Sequence, residues 1–474
     1  LNLCQCMAAA RGHTGIVASL LNQPGIDINL ASADGATPLS IACQENHVGV
    51  VLLLVNHPEI QLNSRSFSSL YLACQNGHSG PCKILLSKAD CGVNAVCPVS
   101  EDPTNWTSLI AASIKGHTHI VKSLLRRDDI LVNKTGDDRR TALMLACTQN
   151  HIKIVKLLIA RCDVNINICC LKGHSALRYA VMFEHHQIVK ELVSRRDLDI
   201  NILVRLATTQ ATVLGFACLL GYDQCAAALL TRSDIKINKT GEDTKDSPLI
   251  DAAGNGHVKI VVMLSSRSDV DLNAVNEKGL SALWLAAGRG HTNCVRCLLS
   301  KPSCDVNLLC GTEFKVTALS VACLNGHNKS VRFLLQRNDI EVNKAGENQE
   351  TALILACVEG HDEIVRRLLK CMTADEANKR KESGPNAIFF ASLNGHAKCA
   401  RLLIDQGVDM NAGIGQNSPL YMSCLNGHFS TVQTILSKAK NILINKHGKT
   451  GCTPLTIAAQ QGFTRLVKLL LKEL

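Results

Sequence analysis

Aromatic residues are scarce in this chain of 474 residues: two Trp, four Tyr and nine Phe make up 3% of it. That scarcity argues against one large core built on aromatic anchors, and against a surface that stacks nucleobases. Long apolar runs are missing too. No stretch approaches the roughly 18 to 20 residues needed to span a bilayer, and no basic-then-apolar leader opens the sequence. There is no Gly-x-Gly-x-x-Gly fingerprint, no His-Glu-x-x-His and no Gly-x-Ser-x-Gly. An enzyme in this segment is not expected, nor is a cofactor, a metal or a nucleic-acid partner.

Small apolar residues and cysteine are plentiful. Hydrophobic residues reach 46%, which suits many thin two-helix layers of Ala, Leu, Ile and Val. The 23 cysteines are odd in number and follow no framework of spacings. They read as free thiols in a reducing compartment, hence a cytoplasmic or nuclear chain. Sequons such as Asn105-Trp106-Thr107 are then chance matches. The opening "LNLCQCMAAARGH" lacks an initiator Met and predicts a fragment of a longer protein.

Cys147 and His151 stand four apart, as a nucleophile and its base might. The same pair recurs at Cys43 and His47, Cys74 and His78, Cys323 and His327, Cys357 and His361, and Cys424 and His428. A pair repeated at a fixed period is architecture before it is chemistry. Alignment on the first apolar residue of each unit gives Leu39, Leu70, Leu109, Leu143, Leu177, Leu214, Leu249, Leu283, Leu319, Leu353, Ile388, Leu420 and Leu455, with a degenerate copy around Gln5. Fourteen units result, mostly 34 to 36 residues apart. Two residues before the anchor stands Ser or Thr, or Asn386 in one unit, as a helix N-cap requires. Pro38, Pro248, Pro419 and Pro454 follow the cap, where a first-turn proline loses no hydrogen bond. A break at Gly, Asn or Glu precedes a His that opens a second helix, with Tyr222 and Phe463 as replacements. The imidazole is expected to cap backbone groups in its turn.

Stretches such as "TPLSIACQENH" and "SPLIDAAGNGH" resemble the Thr-Pro-Leu-His-x-Ala-Ala-x-x-Gly-His signature of ankyrin repeats, over essentially the whole chain. Ser40, Met144 and Trp284 replace the tetrad His, and the unit is about a residue longer than the family's usual 33. The resemblance implies an all-α solenoid of helix-turn-helix repeats with β-hairpin fingers. It would be one domain over 1–474 with about 14 repeats, the first degenerate and the last ending at its second helix. It also implies a monomeric, non-catalytic scaffold or recruitment module that binds a protein or peptide along the concave finger and first-helix surface. An alternative makes the array the substrate-recruiting arm of a larger enzyme or channel.

At the ends of the first helices, Gln44-Glu45, Gln75-Asn76 and Thr148-Gln149 give way to Met182-Phe183 and Leu219-Leu220. Ile114 precedes Lys115 in the fourth unit, whose long finger adds Trp106, and Tyr222 replaces the turn His. These residues, with acidic fingertip Asp137 and Asp138, are the expected partner site across units four to seven. A second charged feature is a column of Lys83, Lys122, Lys156, Lys190, Arg296, Arg332, Arg366, Arg401 and Lys468 on the second helices. The fingers lean acidic, at Glu101-Asp102, Glu242-Asp243 and Glu347. The basic column leaves open an adaptor that docks on anionic membrane or polymer. Three minor signals read as structure: Cys294-x-x-Cys297 sits in core positions, "HGKTG" at 447–451 falls in a finger, and Asp251 interrupts a column of Ile and Leu. Asp251 should weaken its joint.

Overall fold

A computed structural model of the chain describes residues 2–32, 35–63, 68–97, 105–205, 210–312, 315–378, 384–439 and 441–473. The chain divides into two compact bodies, one of residues 1–217 with 224–235 and the other of 218–223 with 236–474. Both repeat one motif: a short first helix, a tight turn, a second helix, then a finger. In the first body Ala142–Thr148 is followed by Ile152–Ile159, and in the second Ala282–Gly288 is followed by Thr292–Leu299.

Local chemistry sets the helix starts. The Thr141 hydroxyl accepts the Met144 N–H at 3.2 Å, and Asn386 does the same for Phe389 at 3.3 Å. Pro38, Pro248, Pro419 and Pro454 occupy the first turn as expected. Within each body, first helices pack on first helices and second helices on second helices, in chain order. Ala146 and Ala286 are completely buried, because only a methyl group fits between neighbouring first helices at that level. The Ile-Val and Leu pairs of the second helices, such as Ile154, Val155 and Leu158, close the layer from the other side. A fully buried Leu or Ile contributes about 1.5 to 3 kcal/mol, and each repeat collects it only against a neighbour.

The helix-rich repeats match the expected fold class, and their fingers carry little strand pairing. Among the described residues, paired strands occur only at Val96–Cys97 with Trp106–Thr107, and at Leu203–Arg205 with Gln210–Thr212. Elsewhere a finger closes on a single bridge, such as Val275 with Ser281, or on turns alone. The bridged segments are too short to add a second rung. Glu101 and Asp102 lie outside the described residues. The degenerate first repeat is a real helix pair, Asn2–Ala10 and Thr14–Leu21, although its anchor Gln5 is buried with both amide atoms unpartnered.

Candidate interaction surface

The recurrent Cys and His do not meet as dyads. Cys147 is completely buried, and burial pushes its thiol up, which disfavours the thiolate a nucleophile needs. The ring of His151 is turned to the preceding repeat, where its Nε2 lies 3.1 Å from the Ile114 carbonyl oxygen. His47, His78, His117 and His185 in the first body repeat this contact, at 2.9 to 3.2 Å from the end of the previous first helix. In the second body His257, His291, His327, His361, His396 and His428 do so. None of these histidines caps its own helix through its side chain. The expected turn cap is thus corrected: the imidazole satisfies an orphan helix-end carbonyl one repeat away. Phe463 keeps only the packing half of this role, its ring lying over Gly427.

Arginine forks make a second link between repeats. Arg127, Arg161, Arg195, Arg232, Arg267 and Arg337 each grip the Asp two residues on. Arg161 also sends Nη1 2.8 Å to the Leu125 carbonyl of the preceding repeat, and Arg337 does the same to Leu299 at 2.9 Å. The hydrogen bond from Arg161 holds the Asp163 carboxyl below its ordinary range.

In the first body, Trp106 is half-buried against Tyr71, Leu72, Cys97 and Ala111, with the Arg140 guanidinium 5.9 Å from its ring centre. It therefore shapes the base of the finger more than it projects from it. Asp138 is tied to Arg140 in an ion pair, while exposed Asp137 accepts a hydrogen bond from the Asn105 amide at 2.8 Å. With Arg139 and Arg140 beside them, the two acids sit in a charge-balanced fingertip. Ile114 is half-buried and spends its carbonyl on His151. Met182 is half-buried, whereas Phe183 is 45% exposed and stacks on His185 with ring centres 6.0 Å apart. In the second body, Leu220 is 42% exposed, Leu219 and Tyr222 are half-buried, and the Leu219 carbonyl receives His257.

Sequence reasoning missed Arg178, which is buried on the first helix Ala176–Met182 with Nε and Nη1 unpartnered. Its Nη2 reaches the Arg205 carbonyl at 2.9 Å and its guanidinium lies 5.9 Å from the Phe216 ring centre. Burial, then Arg178 and Lys172, push nearby His174 down to about 4. The signal was available: an Arg at a position otherwise held by Ser40, Met144 or Ile250.

The basic column is exposed at all nine positions. Lys156, Arg366 and Arg401 are already paired with Glu191, Glu363 and Asp405. Cys294 is buried in its layer, its thiol pushed up to about 11 by burial. The "HGKTG" segment is a finger turn, closed by Gly448 N–H on Cys452 O at 2.8 Å. Among the described residues no group of three or more His, Cys, Asp or Glu converges, and no helix is long and apolar enough to cross a membrane.

The family described as ankyrin repeats (3 copies) matches residues 6–97, 93–168, 109–204, 249–346, 304–378, 338–414, 373–446 and 411–474. The chain belongs to the ankyrin repeat family. Ankyrin repeats are in general protein-interaction modules rather than catalytic ones. Ankyrin repeat and SOCS box protein 5 of Mus musculus is 34% identical over 89 residues, covering 19% of this chain and 26% of that protein. Cortactin-binding protein 2 of Saimiri boliviensis boliviensis is 49% identical over 49 residues, covering 10% and 3%. Tyrosine-protein kinase HTK16 of Hydra vulgaris is 30% identical over 98 residues, covering 20% and 13%. The chain thus spans about a quarter or less of these relatives. Among solved structures, the human ASB11 ankyrin repeat domain aligns at 22% identity and a TM-score of 0.39, over 48% of this chain and 98% of that one.

Proposed function

We propose that this ankyrin chain, read as one array of about fourteen repeats, recruits a protein or peptide partner along its fingers and first-helix ends, without catalysis of its own. The observation that carries the reading is Phe183. It is a large aromatic side chain left 45% exposed at a helix end where other repeats carry Glu45, Asn76 or Gln149. An exposed aromatic next to a half-buried Met is the kind of anchor that dominates interface energies. Leu220 repeats the feature in the second body. Free thiols throughout support a reducing compartment, the cytoplasm or the nucleus.

Peptides selected from a randomised display library on the 474-residue chain supply the probe. Phe183→Ala is expected to weaken a selected peptide about tenfold or more without lowering the melting temperature. Charge reversal at Lys122, Lys156 and Lys190 is expected to change affinity less than about threefold at physiological salt. The opposite pattern favours the second reading, an anionic partner on the exposed basic column.

A further inference from the structure

Asp251 breaks the column filled elsewhere by Ile41, Leu72, Leu145, Leu285 and Leu355, and Gly254 stands where other first helices carry Gln44, Thr148 or Leu324. Both changes remove side-chain volume on the finger and first-helix side. The result, within the second body, is a cavity of about 280 Å³ between the first helices Pro248–Gly254 and Ala282–Gly288 and their fingers. Leu219, Ile250 and Leu285 give it apolar walls, and Asp246, Asp251 and Arg289 give it charge.

The charges are not neutralised by one another. Arg289 spends its Nη1 on the Gly254 carbonyl at 2.7 Å. Asp246 takes a hydrogen bond from the Asn276 amide at 2.8 Å. The Asn255 amide donates to the backbone carbonyl of Asp251, at 2.8 Å, not to its carboxylate. No hydrogen bond to that carboxylate is found among the described residues. Exposed Glu277 and Lys278 stand side by side at the rim with opposite charge. On the inner side the fully buried thiol of Cys218 is raised by burial and then by Asp251. Burial first, and Asp246 second, push the Asp251 carboxyl itself up to about 8. A perturbed carboxyl in a cleft with apolar walls has the features of a binding site.

We propose that this cavity receives the side chain of a lysine or arginine from an extended partner segment, its stem against Leu219, Ile250 and Leu285 and its cation on Asp251. The proposal rests on the reading that partners lie along the fingers and first helices. An entering cation offsets both the desolvation of Asp251 and its repulsion by Asp246, whereas an anion would add to them. A long aliphatic stem with a charged tip matches apolar walls and a charged lining in which Asp246, Asp251 and Glu277 outnumber Arg289 and Lys278, with one Arg289 nitrogen already spent on the Gly254 carbonyl.

The test is a methyl-resolved NMR titration of the full chain, labelled at Ile and Leu, with N-acetyl-arginine amide and N-acetyl-lysine amide. N-acetyl-norleucine amide is the neutral control. Shifts are expected at Ile250, Leu219 and Leu285, with Leu143 and Leu177 unmoved. Affinity is expected to rise about tenfold from pH 7 to pH 9, as Asp251 gives up its proton before the cation binds. Asp251→Asn is expected to lose about tenfold or more at pH 9, and Asp246→Asn several-fold, so one variant remains informative should the other not fold. Equal shifts with the norleucine amide, unmoved cavity methyls, or full binding by both variants would overturn the proposal. A selected peptide that needs Phe183 but leaves these methyls unmoved would sink the cavity while sparing the interaction function.

Discussion

The Nε2 of His151 lies 3.1 Å from the Ile114 carbonyl oxygen of the preceding repeat, and the same ring covers Gly116. A Cβ at Gly116 would stand 2.6 Å from His151 Cε1, on a backbone with φ of +83°. Glycine is therefore favoured twice at that turn, once for its conformation and once for the ring, although Asn46, Asn150 and Glu184 hold the equivalent place with positive φ in other repeats. His151→Ala should destabilise the chain by about 1 to 2 kcal/mol by orphaning the Ile114 carbonyl, with selected-peptide affinity unchanged. Gly116→Ala should also destabilise, and the two changes together should cost less than their sum, because removing the ring leaves only the backbone strain. Strict additivity in urea unfolding would show that ring and glycine do not interact.

The arginine forks should matter most in acid. Asp163 is held below its ordinary range by Arg161, so its stabilisation is present above about pH 4, the unfolded value, and is lost as pH falls through the lower folded one. Arg161→Lys removes the fork and the reach to Leu125, and should cost about 1 kcal/mol at neutral pH. The difference in melting temperature from the parent chain should shrink below pH 4. A constant difference down to pH 2 would mean that Asp163 takes no part.

Asp251 carries the opposite sign. With a folded value of about 8 against an unfolded one near 4, the folded chain keeps a proton that the unfolded chain has lost. Its contribution is most favourable below about pH 4, declines up to about pH 8 by at most about 1.4 kcal/mol per pH unit, and levels off above. Asp251→Leu should fill the cavity and raise the melting temperature at pH 7, more so at pH 8 than at pH 5. This gain in stability should come with loss of the cation site, the usual trade between the two. A destabilised Asp251→Leu would reveal a polar network that depends on the carboxylate.

Thiol exposure gives a third kind of check. Cys4, Cys162 and Cys371 are exposed, while the cysteines of the helical layers, such as Cys43, Cys74 and Cys147, are buried. An aromatic disulfide reagent should modify the exposed three within seconds and the layer cysteines only at the rate of unfolding. Full denaturation should release 23 thiols. Fewer would indicate a disulfide.

Much of this was legible in the sequence because repetition separates architecture from exception. Thr141, Pro248 and Ala146 recur in register, so caps, first turns and close contacts could be read directly from the aligned repeats. Asp251 was visible as a break in an apolar column, though not that Gly254 would turn the break into a cavity. The role of His151 was misread because its partner lies 37 residues back, and one motif in isolation suggests a local cap. The glycine before most of these histidines was the missed clue, since it marks where the next ring will lie. The recurrent Arg-x-Asp at Arg127, Arg161 and Arg195 was an equally regular signal, but its spacing alone does not show that the fork also reaches a carbonyl of the preceding repeat. Phe183 stands out in the sequence alone as an apolar break at a helix end, whereas the pairing of fingertip Asp138 with Arg140 does not.

Photo-crosslinking tests most directly whether partners lie on the finger and first-helix side. A selected peptide carrying a benzophenone, irradiated with the full chain and digested, reports which side chains it touches. Adducts are expected at Met182 and neighbouring first-helix ends, abolished by excess unlabelled peptide. Adducts confined to the second helices around Lys122, Lys156 and Lys190 would contradict that placement and make the basic column the binding surface.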